Sequence, residues 1–157
     1  ATASPPPTEP AEPEAAPARY ESGTPNTPGL AGLGAAVRYL TGAGTFPAPE
    51  HALAARLHAG LAEIRGVRVY GPPPGAARAP LVSFNIEGFD CFDAAAILEE
   101  RWGLMLRAGL HCAPEAHGLI GTLETGALRA SPGRFTGVDE VDACVAAVAE
   151  LARSAAA

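Results

Sequence analysis

Arg107-Ala-Gly-Leu-His-Cys-Ala-Pro-Glu-Ala-His117 gathers an arginine, two histidines and a cysteine into one short stretch of a sequence otherwise dominated by alanine, glycine, proline and leucine. Cys112 stands two residues before Pro114, and proline is favoured at the first position of a helix, where its missing N–H costs nothing. A helix beginning there would turn its unsatisfied N–H groups and positive dipole end toward the sulfur and so favour a thiolate. The chemistry this suggests is nucleophilic. The competing reading is a buried, inert thiol, since free cysteine is among the most buried side chains. A zinc centre has less support, because it needs about four ligands and only His111, Cys112 and His117 cluster here. A cysteine–histidine dyad would pair Cys112 with His111, but adjacent side chains do not face each other automatically, and no third, orienting group is evident.

The elements that must carry this stretch can be read from apolar periodicity. Leu104–Arg107 is expected to form a strand that delivers Arg107 to the reactive turn. Upstream, Val67–Tyr70 and Pro80–Ile86 alternate as strands around the breaker Gly71-Pro-Pro-Pro-Gly75. Thr125–Ser131 reads as a further strand, with Leu128 and Arg129 on opposite faces. On residue type alone, an arginine on a half-exposed strand is usually solvated.

Helices fill the intervals. Leu30, Leu33, Val37 and Leu40 repeat at helical spacing after a loop where Asn26 or Thr27 can act as cap and Pro28 opens the first turn. Leu53, Leu57, Leu61 and Ile64 mark a helix over about 49–64, on which His51 and His58 are read as solvated; Gly66 ends it. Asp90 is placed to cap a helix reaching Trp102, where Gly103 stops it, and Cys91 is read as structural. Thr136 is the expected cap of a last helix with Val138, Val141, Val145, Val148 and Leu151 as its stripe; Cys144, beside that stripe, is assigned to the core. Strands alternating with helices predict a small α+β domain: a mostly antiparallel sheet of three or four strands covered on one face by helices.

Composition bounds the rest. A chain of 157 residues, 48% hydrophobic, can bury a sizeable core as one domain, about two thirds of its unfolded surface. Residues 1–18, rich in proline, glutamate, alanine and threonine without apolar periodicity, are expected to stay flexible, and the domain to run over 19–157. Three cysteines at irregular spacing build no disulfide framework and point to a reducing compartment. No basic leader followed by an apolar core, and no long apolar run, is present, so neither secretion nor a membrane span is expected and the cytoplasm is the expected location. With a net charge of -6 and scattered basic residues, neither nucleic acid nor an anionic membrane is an expected partner. All eleven basic residues are arginine, none lysine.

Three motifs in order carry a resemblance: Arg19-Tyr-Glu-Ser-Gly-Thr-Pro-Asn-Thr-Pro-Gly-Leu-Ala-Gly-Leu33, the stretch Arg107–Pro114, and Gly121-Thr-Leu-Glu-Thr-Gly-Ala-Leu-Arg-Ala-Ser-Pro132. From about Arg19 to its last helix the chain resembles the carboxy-terminal, small-domain part of the cysteine desulfurases in the class V aminotransferase superfamily. That resemblance implies pyridoxal phosphate as cofactor, L-cysteine as substrate and a homodimer. Thr24 matches the residue that reaches a cofactor phosphate across the dimer interface, and Gly23 beside it is the other expected cofactor-binding residue. Arg129 matches the group that grips the substrate carboxylate, as a planar guanidinium can do bidentately. Arg107 and His111 match further substrate-side residues, and Cys112 the cysteine that takes sulfur as a persulfide and passes it to an acceptor protein, as in iron-sulfur cluster assembly. Cys112 lies five residues after Arg107, as in the short-loop subgroup. The Schiff-base lysine is missing from this sequence, and guanidinium cannot replace an amine in that bond, so this chain by itself is expected to be inactive. Because Ala113-Pro-Glu-Ala-His117 departs from the usual desulfurase pattern, selenocysteine lyase and other class V aminotransferases are alternatives. A different class of answer is a detached domain that only dimerises or carries sulfur on Cys112 without catalysis.

Overall fold

The computed structural model describes residues 15–17, 19–20, 23–42, 48–73, 75–76 and 78–155. It divides into two units, Ala1–Gly44 and Thr45–Ala157. The expectation of flexibility over 1–18 falls mostly outside the described residues.

The first unit contains one described helix, α1 (Thr27–Gly42). Asn26 Oδ1 accepts from the Gly29 N–H at 3.0 Å, which settles the capping residue. The apolar stripe anticipated on this helix is real but unburied: Leu30, Leu33, Val37 and Leu40 are all exposed.

The second unit holds α2 (Ala48–Ala62), β1 (Val67–Tyr70), β2 (Val82–Ile86), α3 (Cys91–Trp102), β3 (Arg107–Gly109), α4 (Pro114–Ile120), β4 (Ala127–Ala130) and α5 (Val138–Ala155). The strands make one antiparallel sheet in the order β1-β2-β4-β3. Because side chains alternate across a strand, the register sorts the residues into two faces. Val69, Phe84, Leu128 and Ala108 form one row of paired positions. That face packs into the core with Leu57 and Leu61 of α2, Leu98 of α3, and Val148 and Leu151 of α5. Gly60 lets α2 and α5 approach, since a Cβ there would stand 2.7 Å from Val145 Cγ2. The expected α+β architecture, helices covering one face of an antiparallel sheet, is the one observed.

Element ends differ from expectation for local reasons. The third strand occupies Arg107–Gly109, not Leu104–Arg107. Gly103, at φ 66°, gives its N–H to Glu99 O, and Leu104 gives its own to Leu98 O at 3.2 Å. Leu104 thereby completes a Schellman-type closure of α3 and has no N–H left for a sheet ladder. Asp90 caps α3 as anticipated, accepting from the Phe92 N–H at 2.8 Å. Thr136 does not cap α5. Its hydroxyl accepts from Gly133 N–H, while Gly137 N–H at the helix entry is taken by Glu140 Oε2 at 2.7 Å. His51 and His58 are half-buried, not solvated, and line a cavity of about 240 Å³ with Arg78.

Candidate active site

The sheet face turned away from α2, α3 and α5 carries the polar residues. One cross-strand row reads Tyr70, Ser83, Arg129, Arg107. Arg129 and Arg107 are direct partners on neighbouring strands, an arrangement of like charges that opposes pairing unless an anion offsets it. The Nε of Arg129 is buried and has no hydrogen-bond partner among the described residues. A buried donor left unsatisfied costs about 1–3 kcal/mol, so this guanidinium is set for an acceptor. On the same face, Asn85 clips the entry to β4: its Nδ2 donates to Gly126 O at 3.0 Å and its Oδ1 accepts from Leu128 N–H at 3.3 Å.

Beyond Arg107 the backbone makes a turn over Leu110–Ala113, closed by Ala113 N–H donating to Leu110 O at 2.9 Å. Its two central residues, His111 and Cys112, have φ of 56° and 57°. Positive φ at both central positions is the signature of a type I′ turn, which ordinarily demands glycine or asparagine. Neither residue is of that kind. Left-handed backbone costs an L-residue roughly 1–2 kcal/mol, and such strain is characteristic of functional sites.

The strained turn presents Cys112 exposed to solvent, its Sγ accepting from Arg107 Nη2 at 3.2 Å. Cys91 and Cys144 are buried thiols. Burial pushes both up, Cys144 to about 11, which leaves them protonated and inert at neutral pH. Pro114 opens α4 at its first position, as anticipated.

His111 has both ring nitrogens engaged with the chain itself: Nε2 lies 3.2 Å from Arg107 O and Nδ1 lies 3.3 Å from His117 Nε2. His117, buried on α4, places its Nδ1 2.7 Å from the buried Thr122 Oγ1. Burial holds His111 below the usual imidazole value despite the opposing bond to the Arg107 carbonyl, and the charges of Arg129, His117 and Arg107 add to the lowering. Among the described residues no group of three or more histidine, cysteine or acidic side chains could hold a metal ion.

Arg107, His111, Cys112 and Arg129 thus converge at one end of the sheet. Gly23 and Thr24 lie in the other unit, both exposed, in the loop ahead of α1. Not anticipated from sequence were Ser83 and Asn85, which the alternation of β2 places on the face of Arg129, and the pair His117 and Thr122.

The sequence pattern of the aminotransferase class-V family matches residues 7–144. The chain belongs to that family. Among class-V relatives, it is 40% identical over 135 residues to a probable cysteine desulfurase 2 of Mycobacterium leprae, covering 85% of this chain and 32% of the relative. Two solved structures have the same fold. The apo cysteine desulfurase of Thermococcus onnurineus NA1 superposes with a TM-score of 0.75 at 37% identity, over 88% of this chain and 34% of that one. The cysteine desulfurase CsdA of Escherichia coli, in an S-sulfonic acid form, gives 0.69 at 32% identity, over 88% and 33%. The chain therefore spans about a third of the length of the class-V proteins it matches.

Proposed function

We propose that this chain is the small-domain part of a cysteine desulfurase, with Cys112 as the group that takes sulfur from L-cysteine. The observation that carries the reading is the contact between Arg107 Nη2 and Cys112 Sγ on a strained turn, beside a second guanidinium whose Nε has no hydrogen-bond partner among the described residues.

Pyridoxal phosphate is the cofactor that this reading requires, and the residues present fit part of it. Gly23 and Thr24 offer an N–H and a hydroxyl suited to its phosphate. No residue of this sequence offers the amine that would tie down its aldehyde, because all eleven basic residues are arginine. Turnover then needs a lysine from outside this sequence. When bound, the cofactor supplies the electron sink that weakens bonds at the substrate's carbon skeleton.

The chain's own residues do the rest. Arg129 donates to the substrate carboxylate and fixes its orientation. Arg107 stabilises negative charge on Cys112 Sγ. That sulfur forms a bond to the substrate sulfur while the substrate's Cβ–S bond breaks, its electron pair staying with carbon, which is protonated. Cysteine plus the Cys112 thiol becomes alanine plus a Cys112 persulfide, with no external oxidant or reductant. The exposed position of Cys112 suits onward transfer to an acceptor protein. The same reading makes the protein a homodimer, with Thr24 serving the partner's cofactor, and places it in the reducing cytoplasm, where the buried free thiols Cys91 and Cys144 persist. Among the described residues no helix is long and apolar enough to cross a membrane.

The test is to co-express the chain with a lysine-bearing large domain of a class-V relative, add pyridoxal phosphate and L-cysteine, and measure alanine together with the mass of Cys112. Alanine release and one added sulfur on Cys112, both lost in Cys112→Ser, are expected. Release that persists in that variant overturns the role of Cys112, and release by this chain alone overturns the lysine argument.

A further inference from the structure

Each group in the path from Thr122 to Arg107 is tied to the next, and the last of them fixes the proton on every nitrogen. The Arg107 carbonyl can only accept, so His111 Nε2 carries the proton that bridges their 3.2 Å. In a neutral imidazole Nδ1 is then an acceptor, so His117 Nε2 donates across 3.3 Å. His117 Nδ1 is in turn an acceptor, and the Thr122 hydroxyl donates to it across 2.7 Å. Two neutral rings allow one direction only, from Thr122 through both histidines to the strand that carries Arg107.

This path starts where the fold is firm. His117 and Thr122 are 3% and 2% exposed, and Thr122 N–H also closes the end of α4 on His117 O at 2.9 Å. It ends on the strained turn, whose left-handed residues would relax if nothing held them. The ring of His111 is the tie: one nitrogen on the strand before the turn, the other on the buried His117 of the helix behind it.

We infer that His117 and Thr122 are positioning residues that lock His111 as its Nε2–H tautomer and thereby hold the left-handed turn in which Cys112 meets Arg107. The inference rests on Cys112 being the sulfur-carrying group, but its consequences concern proton placement and thiol reactivity, which can be read without turnover. Breaking the path at Thr122 leaves His117 Nδ1 buried without a donor, frees the His111 ring and loosens the contact between Arg107 and the sulfur.

The experiment uses the intact chain. Nitrogen NMR of its imidazoles at about pH 8 should find both His111 and His117 in the Nε2–H form. Alkylation of Cys112 by iodoacetamide, followed by mass at that residue, should be slower by about threefold or more in Thr122→Val, which keeps shape and loses the hydroxyl, and near the parent rate in Thr122→Ser, which keeps it. An Nδ1–H form of either histidine overturns the inference. So does an unchanged or faster rate in Thr122→Val, or a Thr122→Ser rate as slow as that of the valine variant. Should Thr122→Val fail to fold, the tautomers of the parent chain decide alone. Absence of desulfurase activity with these signatures intact would count against the proposed reaction and leave the positioning role standing.

Discussion

Arg107 and Arg129 stand directly opposite each other in the β3–β4 ladder, with their guanidiniums on the open face of the sheet. Side chains so paired are rooted about 5 Å apart, and like charges at that spacing work against the ladder that holds them. The cost is compounded at Arg129, whose Nε is buried without a hydrogen-bond partner among the described residues. A structure that keeps both groups is built for an anionic ligand.

Removing one charge should therefore stabilise the ligand-free chain. Arg129→Met keeps the apolar stem, deletes the orphaned donor and is expected to raise unfolding free energy by about 1 kcal/mol at low salt. The gain should shrink as salt rises from about 0.01 to 0.15 M, because ions screen the repulsion in the parent chain. Denaturant midpoints at the two salt concentrations check it. Equal midpoints for variant and parent, with the same salt response, would show that the opposed arginines carry no strain.

The turn that presents Cys112 invites a trade between stability and the proposed function. Cys112 at φ 57° carries left-handed strain of roughly 1–2 kcal/mol, which glycine would relieve against its own entropic cost of about 0.5–1 kcal/mol. Cys112→Gly is expected to be more stable than Cys112→Ala by about 1 kcal/mol, and neither can hold a persulfide. Urea unfolding of the two variants makes the comparison; an alanine variant as stable as the glycine one would mean the turn is unstrained.

What sequence could say about this site depended on whether a local rule and a tertiary demand agreed. Asp90, Gly103 and Pro114 act where capping and proline rules put them, and alternation along β2 correctly separated Val82, Phe84 and Ile86 from Ser83 and Asn85. The third strand was misplaced because Leu104 looks like any apolar strand residue, while its N–H is spent on closing α3. The left-handed turn was illegible, since histidine and cysteine give no residue-type signal for positive φ. His117 was visible only as a weak zinc candidate. Its true connection, to Thr122 behind it and His111 ahead, depends on a helix turn bringing the two rings and the hydroxyl together.

Close packing between β3 and β4 gives a third expectation. A Cβ on Gly126, itself at φ 65°, would lie 2.9 Å from the Gly109 Cα and 3.1 Å from Cys91 Sγ. Backbone cannot retreat there without opening the ladder that aligns Arg107 with Arg129. Gly126→Ala should cost about 2 kcal/mol or more, and Gly121→Ala, at φ 74° but with nothing within 4 Å, distinctly less. Thermal melting of both variants tests the difference; similar losses would place the whole effect in φ rather than in contact.

Acid should weaken this fold partly through His111. Its ring sits below the ordinary imidazole value of 6.5 chiefly because of burial, with the charges of Arg129, His117 and Arg107 adding to the effect. The folded chain thus resists a proton that the unfolded chain accepts, so the unfolded state binds more protons and stability falls as pH drops below about 6.5. Below the lowered folded value both states are charged and this contribution levels off. Asparagine tolerates left-handed backbone and does not titrate, so His111→Asn should lose that part of the acid slope while leaving stability near pH 8 within about 1 kcal/mol of the parent. Unfolding free energies measured between about pH 5 and 8 give both slopes. Parallel curves for parent and variant would place the proton uptake elsewhere, and the half-buried His58, lowered by burial and by Arg78, is the next group to replace.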